Sequence, residues 1–289
     1  MTLITPDQLR FPSLDSIQQL SVDEYNTFLS DPIVSCGLET SKENVPKERF
    51  PYHRGDIHPR IVGFLSLFLY NVAVRQGFLA TLNEHDQNKR LLMCAAAWHD
   101  CEQGPGHEGR AVATMQQKAA ALNGQTSDDL EQIKQLIFAT KVDPERSDGV
   151  QVVSDHPLAS FIQTADLFTT LLVRVEDVKR YIRINIQDYV PYEGHGVQVT
   201  HAIIREAEIA QNESFSTEAL LRMTGFTKTM IFDKLIKHGF TQPAQQAIEY
   251  IMPDWKQRLE ANQAAVVQYE NELRSTDPQE TSTSHLSRT

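Results

Sequence analysis

Residues 59–77 read PRIVGFLSLFLYNVAVRQG, apolar on nearly every side of the helix that their spacing predicts. Such a helix has no face to offer to water, so other elements must enclose it. Pro59 suits the first turn, where a missing N–H is harmless, and Gly77 suits the stop. No run of about 18 uninterrupted apolar residues occurs, so the segment reads as a helix buried among neighbours and not as a membrane span.

The other long segments also follow a helical period, which predicts an all-α protein. One helix is expected from an N-cap at Asp86 through LLMCAAAW into His99 and Asp100, broken by the Gly104-Pro105-Gly106 cluster, and another over 107–122. Thr126 with Asp129 reads as a capping box for a helix through Thr140. Residues 158–173 form the next apolar helix, with a more charged one after it to about Tyr189. Beyond a loop at 191–196, helices are expected over 198–211, 217–224 ended by Gly225, 227–238 ended by Gly239, 243–251 and 254–274. In the last of these, Leu259, Ala264, Val267 and Leu273 fall near one stripe, which is expected to pack back on the core.

Before residue 53 only short helices are expected, such as one after Ser21 with Val22, Tyr25 and Leu29 on one face. Residues 1–52 therefore read as a wrapping N-terminal arm, 53–190 as the core, and 191–274 as a C-terminal helical extension packed on it. Residues 275–289, polar and rich in Ser and Thr, read as a disordered tail. No internal repeat or sharp domain boundary stands out.

Charge and cysteine usage narrow the partners. Lys and Arg number 27 against 38 Asp and Glu, a net charge of −11 with no dense basic run, which argues against long nucleic acids and anionic membranes. Cys36, Cys94 and Cys101 are odd in number and lack CxxC spacing, so neither a disulfide framework nor a cysteine zinc cage is implied. The opening MTLITPDQLRFP lacks the charged and apolar regions of a secretory signal, and a cytoplasmic location is expected.

GxxxxGK[ST], HExxH and GxSxG are all absent. Gly104, Gly106 and Gly109 match GxGxxG, but they follow a helix instead of a strand and enclose a proline, so the match reads as chance. The informative residues are polar ones set in apolar surroundings. His99 and Asp100 close the run from Leu91 to Trp98, Asp166 stands amid Phe161, Ile162, Ala165, Leu167 and Phe168, and His58 precedes the first apolar helix. An unpaired buried carboxylate costs several kcal/mol, so Asp166 must be paired, protonated, exposed or metal-bound. Two imidazoles and two carboxylates brought together from three helices would form a divalent-metal site with room for water and a phosphate oxygen.

These residues resemble the H…HD…D pattern of the HD-domain superfamily of metal-dependent phosphohydrolases, mapped here on His58, His99 with Asp100, and Asp166. The similarity covers about residues 53–185 and includes the local texts AAAW before His99 and ADL around Asp166. His85-Asp86 is a second HD dipeptide, but its neighbours Asn83, Glu84, Gln87 and Asn88 read as a solvated loop and cap. His53 is the alternative first ligand, and Asp166 could instead pair with Arg60, Arg110 or Arg174.

The resemblance implies hydrolysis of a small phosphoester, a nucleotide or cyclic nucleotide, by water activated on a divalent cation. The metal ligands would be His58, His99, Asp100 and Asp166, with Asp100 also orienting the water. His107 fits the first of the additional histidines of two-metal members. The next position, in IFATK, offers Lys141, so one ion is expected, and Mn, Mg, Fe and Zn are not distinguished. Glu102 is a candidate general base and otherwise a surface carboxylate. Lys141, Arg110, Arg54 and His107 are candidate phosphate contacts, whose alternative is simple exposure. Cys101, Trp98 and Phe168 read as packing residues. A non-catalytic HD-like module that binds a nucleotide or a protein is the competing reading, and a two-iron oxygenase would need more histidines. Oligomeric state stays open.

Overall fold

The computed structural model describes residues 14–45, 53–55, 57–79, 85–103, 106–122, 126–172, 175, 178–179, 182, 193–194, 197–198 and 217–276. The all-α expectation holds. In chain order the helices are α1 (Asp15–Phe28), α2 (Pro32–Asn44), α3 (His58–Arg75), α4 (His85–Trp98), α5 (His107–Ala119), α6 (Ser127–Ala139), α7 (Ala159–Leu167) and α8 (Thr169–Leu172). They are followed by α9 (Thr217–Phe226), a π-helical stretch (Thr227–Phe232), α10 (Asp233–His238), α11 (Ala244–Ile251) and α12 (Trp255–Thr276). The β pairing among the described residues is a two-residue antiparallel ladder, Glu193–Gly194 with Val197–Gln198, and one bridge between Val142 and Gln151. The helix expected over 198–211 and the tail lie outside the described residues, apart from Gln198, Ser275 and Thr276.

The segment that reads as apolar all round is the centre of the molecule. Fifteen of the eighteen residues of α3 are buried, enclosed by α1, α4, α7 and α11. Its buried Asn71 donates to Ser21 Oγ and Glu24 Oε2 of α1, and Glu24 Oε1 accepts from the buried Lys89 of α4. This network satisfies polar groups that would otherwise oppose burial. Gly77 ends α3 with φ +72°, as its position predicts.

Residues 15–44 hold two full helices where only short ones were expected. Ile17, Tyr25, Ile33, Val34 and Leu38 belong to the same apolar cluster as α3 and α4. Asp31 caps α2 by accepting from the N–H groups of Ile33 and Val34, and Arg90 of α4 holds its other oxygen at 2.7 Å. Trp98 Nε1 donates to Ile33 O, which closes α2 onto α4. Gly55 permits the loop before α3 to approach α2, since a Cβ there would lie 2.1 Å from Leu38 O.

Other boundaries differ for local reasons. Thr126 caps α6 through Asp129 N, but the Asp129 carboxylate turns to Gln87 and Arg90, so only half of the capping box forms. The stretch 158–173 is two helices, α7 and α8, with Phe168 between them. Gly225 does not stop its helix: the chain continues through the widened Thr227–Phe232 turns to the true stop, Gly239 at φ +76°. In α12 Ala264 and Val267 are exposed. Leu259 and Leu273 are buried as expected, and between them the stripe runs through Val266, Tyr269 and Asn262, whose amide donates to Thr170 O.

Candidate metal centre

His58 opens α3, His99 and Asp100 form the turn that follows α4, and Asp166 lies near the end of α7. The α3·α4 and α3·α7 packings bring these three helix ends together. His58 Nε2 is 3.0 Å from Asp166 Oδ1, 3.2 Å from His99 Nε2 and 3.3 Å from Asp100 Oδ2. His99 Nε2 is 3.3 Å from Asp100 Oδ2 and 3.8 Å from Asp166 Oδ1. Donor atoms held about 2.0–2.2 Å from a common cation stand roughly 3 Å apart around it. His58, His99 and Asp166 offer nitrogen and oxygen atoms close enough to one another to hold such an ion, and so do His53, His58 and Asp100.

The groups behind the donors support that fit. His99 Nδ1 lies 2.8 Å from Ala96 O, and because a carbonyl only accepts, Nδ1 carries a proton and Nε2 faces the cluster. Asp166 Oδ2 accepts from Gln151 Nε2 at 2.7 Å, which leaves Oδ1 toward the two histidines. Asp100 Oδ2 faces His58 and His99 while Oδ1 is 3.3 Å from His107 Nε2.

Burial and charge act in opposite directions here. Burial pulls the His99 imidazole down, but the Asp100 and Asp166 carboxylates and the Ala96 carbonyl overcome it and lift it to about 8. For His58, burial wins over the hydrogen bond to Asp166, and His53 adds to the lowering. Burial would raise Asp100, yet the charges of His99 and His53 and the hydrogen bonds from His107 and His99 hold it well below the usual carboxylate range. His107 is raised: burial opposes this, but Asp100 and Glu108 prevail.

His58 stands within 3.0–3.3 Å of His99, Asp100 and Asp166, and the alternative first ligand, His53, adjoins the cluster through Asp100. His53 Nε2 is 3.5 Å from Asp100 Oδ2, so His53, His58 and Asp100 form a second group of ligating atoms overlapping His58, His99 and Asp166. Among the described residues, Asp166 pairs with histidines and Gln151 and not with Arg60 or Arg110; Arg174 lies outside them. Arg54 sits part-buried beside His53. The remaining candidates have other contacts. Glu102 Oε1 accepts from Asn44 and Thr114, tying α2 to α5. Arg110 donates to Gln103 O. Lys141 is exposed, and its backbone carbonyl accepts from Val152 N. Cys101, Trp98 and Phe168 are buried in the core, and His85 and Asp86 are exposed at the start of α4.

Gln151 is the residue that sequence reasoning missed. It sits in the non-helical QVVS text with no periodicity to mark it, and only the turn that pairs it with Val142 directs its amide to Asp166. No protein-family model matches the chain, and no curated protein or solved structure matches it. The protein is all-α, with a buried His/Asp cluster that could hold a metal ion. Among the described residues, no helix is long and apolar enough to cross a membrane.

Proposed function

We propose that this protein is a metal-dependent phosphoric ester hydrolase of the HD-domain type, acting on a small phosphoester such as a nucleotide or cyclic nucleotide. The observation that supports the reading is the approach of His99 Nε2, Asp100 Oδ2 and Asp166 Oδ1 to within 3.0–3.3 Å of His58 Nε2, from segments distant in sequence. Ion pairing alone does not require two imidazole nitrogens to face each other at 3.2 Å. A divalent cation, when bound, lowers the pKa of a water toward neutrality and withdraws charge from a phosphoryl oxygen.

The protein's own groups supply the rest. The Ala96 carbonyl and the Gln151 amide fix which atoms of His99 and Asp166 face inward. Asp100 uses one oxygen on the cluster and the other on His107, which orients that imidazole at the cluster's edge. The His53 and His107 side chains are each 28% exposed, against 1–3% for His99 and His58, so they are the imidazoles a phosphate would meet. Their N–H groups, with Arg54 beside His53, would neutralise charge developing on the phosphoryl oxygens.

The test is metal analysis of the purified protein, combined with a screen of nucleotides and cyclic nucleotides against Mn, Mg, Fe and Zn. The reading expects about one metal per chain, turnover abolished by chelation, and a loss of roughly a hundredfold or more in Asp100→Ala. Metal-free protein, or intact turnover in that variant, would refute it. Ligand binding without turnover would select the non-catalytic module instead.

A further inference from the structure

We propose that Lys234, on the helix α10 outside the His/Asp cluster, tunes the cluster's metal affinity by holding the turn that carries Gln151; this rests on the metal-site reading above. The path is short and continuous. Lys234 Nζ donates to Arg146 O at 2.5 Å and to Asp143 O at 3.1 Å, both in the turn between α6 and α7. Among the described residues it has no carboxylate partner, so the ammonium is committed to two backbone carbonyls. The turn is closed by Asp143 N to Val150 O and Val152 N to Lys141 O, each at 2.9 Å, and by Arg146 Nη1 to Gln151 O at 2.5 Å.

Gln151 then spends both amide hydrogens at once, on Thr140 O at 3.1 Å and on Asp166 Oδ2 at 2.7 Å. The second bond sets the rotation of the Asp166 carboxylate. With it, Oδ1 stays toward His58 and His99; without it, either oxygen or neither can face them. A cavity of about 110 Å³ lies between the turn and the C-terminal helices, lined among others by Arg146, Gln151, Leu235 and His238. Lys234 reaches the turn beside this cavity and adds two bonds from α10 to those that Gln163 and Arg146 already make to it. Lys234 is accordingly a positioning residue acting through Gln151, and it gives the C-terminal helices a hold on the metal site.

The experiment uses the full chain stripped of metal, with Mn²⁺ and Zn²⁺ titrated calorimetrically into wild type, Gln151→Ala, Lys234→Met and Lys234→Arg. Circular dichroism checks folding, and melting is followed with and without metal. Loss of a ligand-orienting partner weakens metal binding by about 10–100-fold, which is the expectation for Gln151→Ala. Lys234→Met, one step further out, is expected to weaken it by roughly threefold to tenfold, and Lys234→Arg, which keeps the donors, to restore it. The metal-induced rise in melting temperature should shrink in the same order. A merely structural lysine would lower melting of both forms equally and leave the dissociation constant unchanged, and that result overturns the proposal. Absence of metal binding by the wild type would instead sink the hydrolase reading, and this inference with it.

Discussion

His99 and Asp100 sit in a turn sealed between α3 and α4, their side chains 1% and 7% exposed, whereas the Asp166 side chain is 19% exposed and depends on an amide delivered from a turn. The first side is held by close packing: the buried Trp98, which precedes His99, lies so close to Gly37 that a Cβ there would meet the indole at 2.7 Å, and Gly55 of the loop carrying His53 lies against Leu38 of α2. The second side is held by hydrogen bonds, from Gln151 to Asp166 and from Gln163 to Ala139 O and Val152 O. Packing is stiff and fails abruptly, while a hydrogen-bonded support can be weakened in steps. The two sides should therefore respond differently to substitution.

The largest effect is expected from removing a donor on the packed side. His99→Ala should weaken metal binding more than any change to an outer partner, by over about a hundredfold in calorimetry. Equal binding by the variant would break the comparison. Next comes the support itself. Gly55→Ala would set a Cβ against Leu38 O, and because the clash is with backbone, a loss of at least about 2 kcal/mol in urea unfolding is expected. An unchanged midpoint would show that the loop is not packed there.

A third prediction concerns protons. The folded value of His99 is raised from 6.5 to about 8, so its contribution to metal-free stability is complete below 6.5 and is lost as pH rises through 8. A cation needs the bare Nε2 and must displace that proton. Calorimetry in buffers of differing ionisation heat should register proton release near pH 7 and little near about pH 9. Equal release at both would contradict the protonated His99. The smallest effect is expected from Glu102→Gln, which keeps the oxygen that Asn44 and Thr114 address. Turnover should fall by less than about tenfold, whereas loss of a general base costs about 10²–10⁴-fold.

The contrast also explains what could be read beforehand. His58, His99, Asp100 and Asp166 stood out because each borders or interrupts an apolar run, where a polar side chain is out of place. Gln151 is not out of place, because a glutamine in a polar turn looks solvated until a long-range pairing aims it. The amino-terminal helices were under-read for a related reason. Glu24 and Ser21 look like surface residues, and only their partners Asn71 and Lys89, roughly fifty or more positions away, let them face the core. At Gly225 the local stop signal lost to a widened helical turn, and in α12 the buried stripe includes an asparagine, Asn262, whose partner Thr170 O lies far away in sequence.

Diffraction from crystals grown with a transition metal, measured at that metal's absorption edge, tests the central claim most directly. The account predicts one anomalous peak about 2.0–2.2 Å from His58 Nε2, His99 Nε2 and the facing oxygens of Asp100 and Asp166. No peak at that position, with the four side chains bonded only to one another, would contradict it.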